Sequence, residues 1–221
     1  MESSITGSNL LTSVLEAALP PLGFLKDTPL RHSLRTQVGL WTVEGFQEPG
    51  LSGERIRLHW GLLIPGEATI RGLEELGGSQ HATLNGDVGA YATGRRGPLW
   101  VSIKGSGSRA WLPGRLSPEQ AEDQLLAWLP ESVMRLQAEL GDLQAVQKFI
   151  AAQGPFLTRT QTWPWTPEAQ AETRVAVALL AGEADAAKEA LRHWLSLFGD
   201  AVDSEGVQRQ LRRFEQRLDE L

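Results

Sequence analysis

The chain has no cysteine among its 221 residues. That excludes disulfide scaffolds, thiol nucleophiles, thiolate zinc sites and iron–sulfur clusters. Lysine is scarce, at 4 residues against 17 arginines, and there is one tyrosine beside eight tryptophans. No apolar run approaches the roughly 20 residues that a spanning helix needs. The opening, MESSITGSNLLTSVLEAALPP, has no basic segment and carries Glu2 and Glu16. A signal peptide is therefore not expected, and the expected compartment is the cytoplasm.

Motifs of catalysis are missing too. His32, His59, His81 and His193 are far apart and form no metal-ligand spacing, so no metal is expected. No Gly-x-Ser-x-Gly elbow follows a strand. Gly105-Ser106-Gly107-Ser108 lacks the lysine and spacing of a phosphate loop. The carboxylate pairs Glu74-Glu75 and Glu122-Asp123 are adjacent, and neighbours on a helix point about 100° apart, so neither pair flanks a bond. No cofactor is implied and no catalytic residue is assigned. Whether the chain is an enzyme stays open at this stage, with the balance against it.

What is present describes a globular chain. Hydrophobic residues make up 41% and charged residues 22%, and folding a chain of this length buries about 70% of its unfolded surface. The net charge of −6 is uneven. Residues 1–115 hold 11 basic and 10 acidic groups, a net of +1; residues 116–221 hold 10 and 17, a net of −7. An acidic surface repels phosphate backbones, which disfavours nucleic acid as a partner without excluding a local basic patch.

Residues 9–19 read as a helix with Leu10, Leu11, Val14, Leu15 and Ala18 on one stripe, Ser8 as its cap and Pro20-Pro21 as its end. From 29 to about 103 the period changes to two. Thr36–Phe46 and Glu54–Ile64 are expected strands; in the second, Ile56, Leu58, Trp60 and Leu62 face one way and Arg55, Arg57 and His59 the other. Asn85-Gly86 signals a hairpin turn, and 99–103 another strand. Ser117-Pro118-Glu119-Gln120 is a capping box. Helices are expected from there to the end, with Pro130 starting a second helix, Asp142 capping a third and Thr166-Pro167-Glu168 opening a fourth. Segment 175–195, VAVALLAGEADAAKEALRHWL, resembles one tetratricopeptide-type hairpin, with no second copy to make an array. In the last helix Val207, Leu211, Phe214, Leu218 and Leu221 form a 4-3-4-3 seam, open to a homodimer or to an intrachain groove.

Gly23-Phe24-Leu25-Lys26 after the first helix, and Leu58-His59-Trp60-Gly61 in a later strand, give residues 5–130 a resemblance to the bacterial domain of unknown function 4304 family. His59 stands where that family usually has Asn. The resemblance implies an α+β domain and no activity.

The expectation is an α+β chain: a helix on a mostly antiparallel sheet over 1–115, then an all-helical region with the hairpin over 116–221, the two sharing a core through tryptophans. Arg55, Arg57 and His59, with Arg31 and Arg35 from an earlier segment, are the candidate anion- or partner-binding row. Its alternative is a solvated face in which these arginines meet Glu44, Glu48 or Glu54. Trp163 and Trp165, in Trp163-Pro164-Trp165, are candidate anchors to a partner or between the halves. The leading function is a non-catalytic intracellular protein-interaction module, immunity- or antitoxin-like in its specific form, with a basic protein partner and no membrane. The alternatives are an enzyme acting on a phosphate or carboxylate substrate at the Arg55/Arg57/His59 face, and a nucleic-acid-binding protein using the same row.

Overall fold

A computed structural model describes residues 7–50, 53–73, 82–88, 100–102, 109–111, 117–152 and 166–221. The chain is α+β, with an antiparallel sheet followed by a helical C-terminal region. Helix α1 (Gly7–Ala18) buries the predicted stripe, Leu10 through Ala18. A 3-10 turn at Pro20–Leu22 ends on Gly23, whose φ of 87° reverses the chain into Phe24 and the first strand.

The strands are β1 (Leu25–Thr28), β2 (Arg31–Arg35), β3 (Leu40–Gly50), β4 (Gly53–Leu63), β5 (Leu84–Asp87), β6 (Trp100–Ser102) and β7 (Arg109–Trp111), in the order β1-β2-β3-β4-β7-β6. The far edge of β4 is shared. Strand β5 pairs with it from His59 to Leu62, and β7 at Ile56. The short α2 (Glu67–Arg71) leaves β4 between two left-handed glycines, Gly66 and Gly72.

Two strand expectations are corrected here. Residues 36–46 are not one strand. A turn spans Thr36–Gly39, closed by Thr36 N–H donating to the Gly39 carbonyl at 2.9 Å, and β3 begins at Leu40. A Cβ on Gly39 would lie 2.1 Å from the Leu63 carbonyl oxygen, so this close approach needs glycine. Asn85-Gly86 is not a turn either. Both residues lie inside β5, opposite Gly61 and Trp60. Burial of Leu84 beside them and the ladder to β4 override the local turn preference.

The helices that follow are α3 (Pro118–Glu139), α4 (Leu143–Ala152), α5 (Pro167–Leu180), α6 (Ala184–Ser196) and α7 (Glu205–Asp219). Both bonds of the Ser117–Gln120 capping box form. Asp142 Oδ1 accepts from Ala145 N–H at 2.7 Å, and Thr166 Oγ1 from Ala169 N–H at 3.2 Å. Pro130 does not start a helix; it lies inside the continuous α3. An interior proline costs about 3 kcal/mol. Beyond it Val133, Leu136 and Leu140 are buried, each worth about 1.5–3 kcal/mol, so packing outweighs the lost hydrogen bond. Between α5 and α6, Gly182 at φ 72° sends its N–H to the Leu179 carbonyl and Glu183 its N–H to Ala178, a Schellman stop that folds the helical hairpin back on buried alanines 176, 178, 187 and 190.

Two apolar cores result. The first joins α1, the inner sheet face, α3 and α4, with Trp41 and Trp60 stacked in tilted fashion at 6.0 Å. Gly45 lets α1 close on β3, since a Cβ there would meet the Leu11 methyls at 3.3 Å. The second core joins α5, α6 and α7 to Ile70 of α2, with the Trp194 ring edge-on to Phe198 and Phe214. The α7 seam is used here: Val207 and Phe214 are buried, and Leu211 and Leu218 pack beside them.

Candidate functional site

The candidate row lies on the sheet face turned away from the core. In β4, Ile56, Leu58, Trp60 and Leu62 are buried while Arg57 and His59 are half-buried, which is the alternation the sequence predicts. Arg55 holds the matching register position. Strand β2 does not pair with β4: β3 lies between them, so Arg31 and Arg35 stand two strand spacings, about 10 Å, from the β4 positions.

The register fixes which residues oppose one another. Arg31 pairs with Glu44, Glu44 with His59, and His59 with Asp87, giving one cross-strand line of alternating basic and acidic residues over four strands. One step along, Phe46 opposes Arg57, and one step further Glu48 opposes Arg55. The Phe46 and His59 rings lie 4.8 Å apart, inclined at 52°. Arg31 also faces Asp27 at 3.6 Å, in an exposed pair. Arg31, Arg55, Arg57 and His59 thus each have a carboxylate or an aromatic residue at the opposing register position, whereas Arg35 opposes Leu40. Asp87 was not among the residues picked from sequence, whereas Glu44 and Glu48 were named there as carboxylates the arginines would meet. Their signal was the period of two in 40–48, which sets Glu44 and Glu48 on the same face as the arginines once the strands are aligned.

Trp163 and Trp165 lie outside the described residues. Among the described residues no group of three or more metal-ligating side chains converges, and no helix is long and apolar enough to cross a membrane.

A second polar cluster escaped the sequence reading and sits between the two cores. The Arg71 Nη1 donates to Glu67 Oε1 at 2.7 Å and its Nη2 to Glu172 Oε2 of α5 at 3.2 Å. Thr83 donates to the other Glu67 oxygen at 3.3 Å and accepts from Ile64 N–H. Arg71 and Glu67 are almost fully buried. Burial opposes the Arg71 charge, but Glu67 and Glu172 outweigh it and hold the guanidinium protonated. Burial raises the Glu172 carboxyl above the usual range, against the pull of Arg71 and with the help of nearby Glu67. Two further contacts join α7 to α2. Gln210 donates to the Ile70 carbonyl at 3.2 Å, and Arg213 lies over Gly72, where any Cβ would collide with it. The available signal was Glu67-x-x-x-Arg71 framed by Gly66 and Gly72.

The third polar feature is the outer face of α3. Glu119, Asp123, Glu131 and Glu139 are exposed there, with Arg135 and Met134, the latter 49% exposed. Hydrogen bonds from its own backbone N–H and from Ser117 hold the Glu119 carboxyl below its usual range. Ser13 of α1 donates to Glu122 on the flank of the same helix.

No family model matches the chain, and no match emerges among curated proteins or among solved structures.

Proposed function

We propose that the chain is a non-catalytic, intracellular protein-interaction module that takes a basic protein partner on the outer face of α3. The observation that carries this reading is Met134, a large apolar side chain left half in water one turn from Glu131 on a helix whose exposed residues include Glu119, Asp123 and Glu139. A thioether adapts its shape to many apolar partners, and the carboxylates along the helix steer a cation-rich surface toward it. Segment 117–152 holds six acidic and two basic residues, so the steering field is local to α3 and α4. The α7 seam is already filled by the chain's own second core, which supports a different protein as partner over a second copy. An immunity- or antitoxin-like role is the specific form of this reading.

Co-purification from the native host tests it. A basic protein should accompany the wild-type chain and be lost from the Asp123→Lys/Glu131→Lys double variant. Its association rate should fall as salt rises, and the double variant should slow it roughly tenfold. The same proteins retained by both forms, or a salt-independent association rate, would overturn the reading.

A further inference from the structure

His32 lies one strand in from the edge of the sheet, with the edge strand β1 on one side of it and β3 on the other. Its side chain is fully buried, and neither ring nitrogen has a hydrogen-bond partner among the described residues. A neutral imidazole has one donor and one acceptor nitrogen, so both lose their hydration with no return. Residues that oppose each other in a ladder share a sheet face, which sets Lys26 of β1 on the face that holds His32. From there Lys26 Nζ bonds Glu16 Oε1 of α1, and both side chains of this pair are about half in water. The ion pair therefore ties the helix to the edge strand on the side of the imidazole.

The charged groups that act on the ring come from two elements, Glu16 from α1 and Lys26 and Asp27 from β1. Strand β3 turns Trp41, Val43 and Gly45 to the same face, and none of these titrates. A protonated ring carries two N–H donors and a full charge. Lys26 repels it, and Glu16, the carboxylate that Lys26 holds, attracts it. Winning Glu16 breaks the tie between α1 and β1. Little else keeps β1 in place: it has four residues, all exposed, and its register slips between Lys26 and Thr28. Releasing it uncovers no buried apolar side chain of its own, whereas hydrating His32 by global unfolding exposes both cores. The local route is the cheaper one.

We propose that this edge is a proton-operated latch. Uptake of one proton from solvent by His32 transfers Glu16 from Lys26 to the imidazolium, Lys26 passes to water, and β1 leaves β2. The open form presents the hydrogen-bonding edge of β2 while both cores stay closed. Nothing in the latch depends on the acidic face of α3.

Hydrogen exchange of the folded full chain tests it, with protection factors taken at about pH 7.5 and about pH 5.5 across low urea concentrations. A ring that titrates near 6.5 once hydrated, and below that range while buried, makes opening about tenfold more frequent at the lower pH. The amides of 25–28 that bond to β2 should therefore lose about tenfold in protection. Their protection should be insensitive to urea, because the opening exposes little surface, whereas amides of β4 and α5 should follow urea at either pH. In His32→Leu the same β1 amides should keep equal protection at both pH values. Lys26→Met, which removes the tie, should already lower β1 protection at the higher pH. Wild-type β1 protection that is unchanged by pH or that follows urea as the cores do, or an equal fall in His32→Leu, would each overturn the proposal. The wild-type comparison decides by itself if His32→Leu does not fold.

Discussion

His32 is fully buried, and neither of its ring nitrogens has a hydrogen-bond partner among the described residues. Its surroundings are ionic. Glu16 of α1 pairs with Lys26 of β1, and Asp27 accepts from Ser33 at 2.8 Å. Burial holds the imidazole below its ordinary value of 6.5; Glu16 and Asp27 oppose that shift, and Lys26 adds to it. The unfolded chain therefore takes up a proton near pH 6.5 while the folded chain does not. Stability is full above that pH and is lost as pH falls toward the lower folded value. Thermal unfolding should show a midpoint that declines below pH 6.5. His32→Leu should flatten that decline and raise stability at neutral pH by about 1 kcal/mol, since it also removes two unsatisfied polar atoms. A histidine that titrates at its ordinary value by proton NMR would remove the basis for this.

The long α3 carries the clearest contest between local and tertiary forces. Ser117→Ala should lower stability by about 1 kcal/mol through loss of the capping box, and Pro130→Ala should raise it by 1 kcal/mol or more, both read from urea midpoints. These elements also show what could be read in advance. The stripe of α1, the caps at Ser117, Asp142 and Thr166, and the alternation of Ile56–Leu62 against Arg57 and His59 are local patterns, and local patterns are visible in a sequence. Pro130 and Asn85-Gly86 misled because burial of Leu136 and of Leu84, contacts made with distant elements, overrides a local preference. Strands β1 and β2, at four and five residues, are too short to show a period. The arginine row was legible as a face, with Glu44 among the carboxylates set against it, but the pairing of His59 with Asp87 depends on strand register. The Glu67–Arg71–Glu172 cluster depends on a contact 101 residues apart, which no spacing rule reaches.

At the scale of the whole molecule, that cluster is where the two cores meet. Arg71→Met strands the buried Glu67 and the part-buried Glu172, and breaking a buried pair in this way costs about 3–5 kcal/mol. Glu172→Gln keeps an acceptor for Arg71 and should cost far less. Denaturant unfolding at neutral pH separates the two, and equal losses would assign the cluster a different role. Because Glu172 has its folded value raised, its contribution favours the fold in mild acid and is lost as pH rises through that value, opposite in sign to His32. The helices α3 and α4 belong to the sheet's core, while α5, α6 and α7 close on Ile70 of α2. This division bears on the route by which the native state is reached. The hairpin β3–β4 and the hairpin α5–α6 are each made of chain neighbours, so little loop entropy is lost in forming either. Both can nucleate on their own. Engagement of α2 by α5 and α7, which spans more than a hundred residues, is then the late event, completed after the rate-limiting step. Substitutions at Gly72 or Gln210 should accordingly speed unfolding and leave the refolding rate nearly unchanged.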